Sequence, residues 1–386
     1  DVIVGNALLD MYAKSGMLSK AQELFNELKF RDVVTWNVLI GGYVQHGHGE
    51  EAMNRFEKMQ QGYISPNWIT FLYLLKAYYI TRAMNKVHDI LSRILRDGFL
   101  EYNNIIGSTV VSMYAKSGML GKAQEVFDSL PIWNVTSLNI LLAGYSQNGQ
   151  GEEALNKFES SQYKEISPNV VTFVCILKAC GSIGETTKAQ ELHIRIIKYG
   201  VLEHNDMIGS VLVGMYAKCS LFAEAEQVFG NLQHRDVISW NSLIAGYAQH
   251  GQSGHVFRIF QRMLINGVEP DLVSFAIILH ACSRMGLLKL SQTYFNVMSK
   301  DYGIIPTIDH HTSMVDLLGR VGQLDKAVIM INKSPVSNHI AIWRRVLDAC
   351  KNWGNIELGK RTFEHAVHLI ENNDPASDRI YVKLGV

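Results

Sequence analysis

Apolar residues recur at helical spacing along the chain, in short runs that end at glycine or proline. In the stretch 33–67, Leu39, Ile40 and Tyr43 share one face and Gly47 ends the run. A second apolar face follows and stops before Pro66, because a helix cannot continue into proline. Strand-like alternation is absent from the sequence, so the pattern predicts an all-α chain of short helix pairs.

The pattern repeats every 102 residues: MYAKSGML occupies 11–18 and 113–120, and MYAKCSLF begins at Met215. Tiling this period yields three triplets of units, two variant units and a remnant. Their bounds are 2–32, 33–67, 68–103, 104–134, 135–169, 170–205, 206–236, 237–271, 272–307, 308–339, 340–373 and 374–386. One helix pair cannot bury its apolar face alone, which predicts an α-solenoid, a superhelix of antiparallel helix-turn-helix repeats.

Two further positions recur with the period. A glycine after the first helix suits a left-handed helix end, at Gly16, Gly47, Gly118, Gly149, Gly184, Gly251, Gly286, Gly322 and Gly354. A small residue five positions later predicts close approach of the paired helices, at Ala21, Ala52, Ala123, Ala154, Ala189 and Ala225.

Composition narrows the class of protein. The chain has 386 residues, of which 47% are hydrophobic, and a formal net charge of zero, which disfavours binding driven by charge alone. No apolar stretch approaches the roughly 20 residues that a membrane span needs, so we expect no membrane contact. The five cysteines form no C-x-x-C pair, which predicts reduced, buried thiols. The chain opens mid-pattern at Asp1, so we expect a processed or trimmed piece.

The rotating unit lengths and the segments VVTWNVLIGGY, MYAKSG and VTFVCILKAC resemble the pentatricopeptide repeat family. The W-x-x-L-G-x-x-Y signature of tetratricopeptide repeats is missing. The resemblance spans 2–373 and is to the plant subclass in which short, standard and long repeats alternate. The units 308–339 and 340–373 resemble that subclass's terminal short repeat and E-type extension motif, and 374–386 a partial following motif. The resemblance implies a single-stranded RNA-binding factor of the mitochondrion or chloroplast, and many such proteins specify sites of C-to-U editing.

The resemblance also implies which side chains read RNA, one base per repeat. The fifth and last residues of a unit would bind the base edge, and the second residue would pack on its face. The edge-reading candidates are Asn6, Asp32, Asn37, Asn67, Ser108, Asn134, Asn139, Asn169, Ser210, Asp236, Asn241, Asp271 and Thr312. The packing candidates are Ile3, Val34, Ile105, Met207 and Ile238. The alternative is that an early Asn or Ser is a helix cap or a turn residue.

The pairing rules implied by the resemblance give a target sequence. They assign U to Asn with Asp, a pyrimidine to Asn with Asn, A to Ser with Asn, and G to Ser with Asp. From 5′ to 3′ along the chain this reads U, pyrimidine, any, A, pyrimidine, any, G, U, any, any. The last unit departs from the pattern, because Thr312 pairs with His339 and Asp309 replaces an aliphatic packing residue.

Three lysines recur at the end of the first helix of the short units: Lys14, Lys116 and Lys218. They are typical of cations that interact with a helix dipole, and the alternative is contact with RNA phosphates.

The sequence contains fragments of catalytic motifs but no complete one. His48 and Glu50 match H-x-E of cytidine deaminases, but the P-C-x-x-C half of that zinc site is absent, and both residues fall in a turn between helices. The adjacent His310 and His311 point apart on a helix, so we expect no metal and no cofactor.

The chain is predicted not to be an enzyme, and a deaminase or other editing factor recruited through the C-terminal motif is an expected partner. A structural or RNA-stabilising subunit of an organellar ribonucleoprotein, such as a ribosome, is the alternative, and a protein-binding scaffold is the third interpretation.

Overall fold

A computed structural model describes residues 2–102, 104–162, 166–201 and 205–373, in which every regular element is an α-helix. Asn103 and the predicted remnant 374–386 lie outside the described residues. The helices, numbered α1 to α23 in chain order, span Val2–Lys14, Leu18–Glu27, Val33–Gln45, Gly49–Gln61, Trp68–Ile80, Met84–Arg96, Phe99–Tyr102, Asn104–Lys116, Leu120–Ser129, Val135–Gln147, Gly151–Gln162, Val170–Ile183, Thr186–Lys198, Asp206–Lys218, Phe222–Asn231, Val237–Gln249, Ser253–Ile265, Leu272–Met285, Leu288–Lys300, Ile308–Arg320, Leu324–Asn332, Ile340–Trp353 and Ile356–Asn373.

The chain divides into two compact units, residues 1–179 and 180–386. In the first unit, α1, α3, α5, α8 and α10 pack against one another in that order, and each contacts the helix that follows it. In the second unit, α14, α16, α18, α20 and α22 form the corresponding row, with α15, α17, α19, α21 and α23 beside them. Each unit is therefore an α-solenoid of antiparallel helix pairs, which confirms the predicted fold class.

The predicted glycine turns are confirmed. All nine recurring glycines have positive φ values, between 67° and 82°. A side chain at such a φ brings Cβ close to the backbone carbonyl, and glycine avoids that strain. The same turn position holds Arg82 and Ser220 in two units, with φ of 57° and 63°, so the turn geometry persists without glycine.

The predicted small residues also lie where expected: all six recurring alanines, from Ala21 to Ala225, are fully buried. One element was not predicted. The stretch 68–103 carries a third, four-residue helix, α7, after its pair α5 and α6.

All five cysteines are buried and none is in a disulfide, as the sequence indicated. Among the described residues, no helix combines the length and apolar character needed to cross a membrane.

Neighbouring first helices approach closely where a glycine of one faces an alanine of the other. A Cβ added to Gly246 on α16 would lie 2.1 Å from the Cβ of Ala217 on α14. Gly42 against Ala13 and Gly144 against Ala115 repeat this contact, each with 2.7 Å between the two Cβ positions. These glycines set how closely one first helix lies to the next.

We expect Gly246→Ala to lower the free energy of unfolding by about 1–3 kcal/mol, because the new methyl group forces apart two packed backbones. Gly214→Ala, on α14 of the same helix pair, is the matched control, since its added Cβ would lie 3.5 Å from the Ser242 Cβ, an ordinary contact. The control gains helix propensity and should be neutral or stabilised by up to about 1 kcal/mol. Urea denaturation followed by circular dichroism measures both, and equal stability of the two variants would contradict the close approach.

Candidate nucleic-acid interface

The last residue of most predicted units caps the first helix of the next unit. Asp32 has extended backbone angles, and its Oδ1 accepts a hydrogen bond from the Thr35 backbone N–H at 2.9 Å. Asn67 does the same for α5, where its Oδ1 accepts from the N–H groups of Ile69 and Thr70 at 3.1 Å. The remaining caps of this kind are Asn134, Asn169, Asn205, Asp236 and Asp271.

The fifth residues are not caps, which corrects the alternative offered by the sequence. Asn37 lies inside α3, and Asn139 and Asn241 lie inside α10 and α16, one turn after each helix begins. A cap needs extended backbone angles before the helix, and an interior residue does not have them. The capping role belongs to the last residue of the preceding unit.

The structure brings the fifth and last residues of the standard units together. Asn37 Nδ2 donates to Asn67 Oδ1 at 3.0 Å, although the two residues are thirty positions apart. The same bond joins Asn139 to Asn169 at 3.0 Å and Asn241 to Asp271 at 2.9 Å. In the first short unit, the side chain of Asn6 lies beside the Asp32 carboxylate and contributes to lowering its pKa.

A hydroxyl at the third position of the next unit completes this arrangement. Thr70 Oγ1 donates to Asn37 Oδ1 at 2.7 Å, and Ser274 Oγ donates to Asn241 Oδ1 at 2.7 Å. Each Asn amide is thus held at both its nitrogen and its oxygen, and both amides are more than 90% buried. These hydroxyls are absent from the predicted site residues, although Thr or Ser recurs there in VVTW, WITF and LVSF.

Two carboxylates at the last position, those of Asp32 and Asp271, are stabilised in their charged form. Hydrogen bonds, first among them that from the Thr35 backbone N–H, lower the pKa of Asp32. Burial alone would raise the pKa of Asp271, but hydrogen bonds from the Ser274 backbone, the Asn241 amide and the Ser274 hydroxyl outweigh it, and the net pKa is lowered. Both groups therefore stay ionised at neutral pH.

The other short units differ in detail. Ser108 and Asn134 line one groove of about 440 Å³, together with Ile105, Thr136 and Lys116. The Ser210 hydroxyl donates to the Asp206 carbonyl at 3.0 Å, and Asp236 caps α16 through the Ser239 N–H. Thr312 is half-buried on α20, in a separate groove that also contains Asp309, the polar residue at the packing position.

The predicted packing residues are exposed, in contrast to the buried fifth residues of the standard units. Ile3 is 77% exposed, and the other four lie between 48% and 55% exposed: Val34, Ile105, Met207 and Ile238. Exposed β-branched and long apolar side chains at one register of successive first helices are available to pack against a flat apolar ligand.

The recurrent lysines end their helices as expected and are exposed. Lys14 forms an ion pair with Asp10 of the same helix at 2.7 Å, whereas Lys116 lines the groove beside Ser108. The stem of Lys218 lies near Gly181.

Arg320, in the last turn of α20, continues the series at the same 102-residue interval. Arg320 is absent from the predicted phosphate contacts, because that prediction rests on the recurrence of lysine.

Among the described residues, no group of three or more His, Cys, Asp or Glu side chains is arranged to hold a metal ion. The paired histidines are engaged elsewhere, since His310 takes part in the cap of α20 and His311 Nδ1 donates to the Thr307 carbonyl at 2.9 Å.

Comparison with known families decides the classification. The model of the PPR repeat family matches 31–79, 133–182 and 235–284, three segments at the same 102-residue interval. The model of the PPR repeat matches 6–33, 108–134 and 171–201, and together the matches cover more than half of the chain. The chain belongs to the pentatricopeptide repeat family.

Among pentatricopeptide repeat proteins of Arabidopsis thaliana, At2g33680 is 36% identical over 359 residues, with 93% of this chain and 49% of that protein covered. The chloroplastic protein CRR2 is 34% identical over 367 residues, with 94% and 56% covered. The chain thus spans about half the length of the curated relatives it matches. Of the solved structures, the pentatricopeptide repeat protein PPR10 from maize is 16% identical, with a TM-score of 0.48 over 100% of this chain and 66% of that one.

We expect Asp271→Asn to reduce the sensitivity of the fold to acid. A carboxyl whose pKa is lowered by folding stabilises the protein above its ordinary titration range, near pH 4, and this contribution is lost as the pH falls through the folded-state pKa. Asn keeps the cap but cannot titrate, so the loss of stability below about pH 4 should be smaller than in the wild type.

The converse substitution, Asn169→Asp at the same position of another unit, should increase the sensitivity to acid. Urea midpoints measured between pH 7 and pH 3 check both variants. If the two midpoint profiles follow the wild type throughout, the carboxylate is not held as described.

Proposed function

We propose that this chain is a sequence-specific, single-stranded RNA-binding protein that reads one base per repeat. The observation that carries the proposal is the pairing of a buried Asn with a capping Asn or Asp in the standard units, beside an exposed aliphatic residue at Val34 and Ile238. RNA bases offer both features that such a site needs, a flat apolar face and a hydrogen-bonding edge. The family's structural relatives are consistent with this, since one structure of maize PPR10 contains an RNA element.

The cap determines which atom is left for a base. In Asn67, the oxygen is occupied by the helix N-terminus and by Asn37, so the amide N–H groups remain as donors. In Asp271, Oδ1 is occupied in the same way, and the second carboxylate oxygen remains as an acceptor. Uracil presents an N–H donor at N3 and cytosine presents an acceptor there. The Asp units therefore suit U, whereas the Asn units suit an acceptor on a pyrimidine.

The size of the fifth residue separates pyrimidines from purines. The Asn139 amide reaches its partner Asn169 and bonds to it at 3.0 Å. Ser108 is shorter, and the groove beside it, about 440 Å³ in volume, leaves room for a larger base. Ile105 and Thr136 lie along this groove at the packing positions, and Lys116 lies where a phosphate would follow. We therefore keep the predicted assignment of adenine to the fourth base.

Ser108→Asn should change the preference at the fourth base from A to a pyrimidine, because the longer amide narrows the groove and can bind Asn134. The preferred base should gain about 1–3 kcal/mol over the rejected one, the range of a single mismatch in nucleic-acid recognition. Fluorescence anisotropy with four synthetic RNAs that differ only at that base measures the change.

Ser112→Asn is the control, since Ser112 lies on the same helix and lines the same groove but is not a fifth residue. It should leave the preference for A intact. A Ser108→Asn variant that still prefers A would remove Ser108 from the base-reading set.

The finer proposal is that the chain recognises a site of C-to-U editing in a plant organelle. It is supported by the resemblance of 308–339 and 340–373 to the terminal short repeat and the E-type extension motif. Relatives named as chloroplastic and as mitochondrial occur among the similar proteins, so the organelle remains one of these two. In this role the deaminase would be a partner recruited through the C-terminal motif.

Sequencing of organellar transcripts after loss of the gene tests the finer proposal. We expect one or a few cytidines to remain unedited, each preceded by a sequence that fits the predicted decamer. Re-expression of the wild-type protein should restore editing, and re-expression of the Ser108→Asn variant should not. Normal editing together with loss of one transcript or of ribosomes would favour the stabilising or structural role instead.

A further inference from the structure

Trp353, the last residue of α22, holds its indole ring in a fixed, exposed position. Its Nε1 donates to the Gly319 carbonyl of α20 at 2.7 Å. One edge of the ring lies against Gly322, where an added Cβ would come within 3.2 Å of Cζ2. The residue is nevertheless 57% exposed, so a large aromatic surface faces solvent in a defined orientation.

The hydrogen bond to a carbonyl of the preceding first helix does not by itself explain an indole at this position. His46 and His250 occupy the same register of earlier first helices, and each places Nε2 2.9 Å from a carbonyl of the preceding first helix. An imidazole thus makes the same contact. The additional ring of Trp353 leaves apolar area in water, which is unfavourable unless a ligand covers it.

The indole borders a groove of about 550 Å³ between α20 and α22. Arg320, Arg345 and Asn352 lie along it, as do the carboxylates Asp316 and Asp348. Arg345 Nε lies 3.7 Å from Asp316 Oδ1 and its side chain is half exposed, so this ion pair is weak and the guanidinium remains accessible. We call Arg320, Arg345, Asn352 and Trp353 the indole groove.

The indole groove continues the face that carries the predicted base-reading residues. The neighbouring groove, between α16, α18 and α20, contains Thr312 and shares Asp316 and Arg345 with it. Arg320 lies at the register of the three recurrent lysines, for which contact with RNA phosphates is the alternative to interaction with the helix dipole. The fifth position of the last helix pair is held by the exposed Arg344, so the buried amide of the standard units is absent from this register.

We propose that the indole groove binds one nucleotide of RNA immediately 3′ of the predicted decamer, with its base stacked on Trp353 and its phosphate near Arg320. This inference rests on the proposed RNA-binding function. Stacking on an aromatic ring is tolerant of sequence, because every base has a π face. The groove therefore adds affinity and fixes the position of the RNA beyond the last read base, without reading that base.

The test compares two RNAs with the full chain: the predicted decamer, with uridine at its unspecified positions, and the same decamer with four uridines added at its 3′ end. The 3′ extension should tighten binding of the wild type by about fivefold or more, the smallest effect expected of one stacked base. Four uridines added at the 5′ end should give a smaller gain, which separates stacking from a general effect of length.

Three variants locate the effect. Trp353→Ala should remove the gain from the 3′ extension, and Trp353→Phe should retain most of it, because stacking needs the ring and not the N–H group. Tyr63→Ala is the control, since Tyr63 is 96% exposed in the other compact unit and should leave the gain intact. Thermal melts and decamer affinities of all three variants exclude unfolding as the cause.

The outcomes separate the two proposals. If the wild type binds neither RNA, the proposed function fails and this inference fails with it. If it binds the decamer but gains nothing from the 3′ extension, or if Trp353→Ala keeps the gain, the inference is overturned while the proposed function stands. In that case the exposed indole would be left for a protein partner.

Discussion

The side-chain cap at the N-terminus of most of the described first helices is the interaction on which the rest of the candidate interface depends. One side-chain oxygen of Asn67 or Asp271 satisfies backbone N–H groups that the helix itself cannot satisfy, and the same oxygen accepts from an Asn of the preceding first helix. The position that would read a base is therefore restricted to residues that can also cap. Asn and Asp both meet that requirement, and they differ in the atom that remains. A change of readout from donor to acceptor is then possible without loss of the helix.

The spacing of the first helices makes this shared oxygen possible. Gly246 faces Ala217 without an intervening side chain, which brings α16 close to α14. The bond from Asn241 to Asp271 and that from the Ser274 hydroxyl to Asn241 each cross between helices at 2.9 Å or less. These bonds join α16 to the start of α18, at the interface next to the Gly246 contact, and their lengths tolerate little change in helix spacing. Backbone packing and the candidate recognition chemistry thus meet on α16, through different contacts with its two neighbouring first helices.

The periodicity of the sequence predicted the helix pairs, the left-handed turns and the buried small residues, because each follows from local spacing. It also selected Asn37 and Asn67 as members of one set, through the family resemblance. It did not predict that they touch, or that Thr70 completes the arrangement, because bonds over thirty residues depend on how the helices pack. The period shows which positions vary together, whereas only the coordinates show that the capping oxygen is shared. For the same reason, the sequence leaves a capping role open for Asn37, whereas the structure shows that Asp32 caps α3.

The long units and the terminal units raise a different question, since their fifth residues do not supply the buried amide. In the first long unit Lys76 lies in the groove beside Ser108. Two periods later the corresponding residue is His280, whose pKa is lowered by burial first and then by the nearby Arg284, with Asp316 opposing and Arg320 adding to the effect. His280 is therefore uncharged at neutral pH, and positive charge near that end of the face rests on guanidinium groups.

Arginine stays charged when partly buried and can stack on an aromatic ring or bind a phosphate through two N–H groups. A lysine would offer a point charge there, whereas Arg320 and Arg345 beside an oriented indole offer planar groups suited to a planar base and its phosphate.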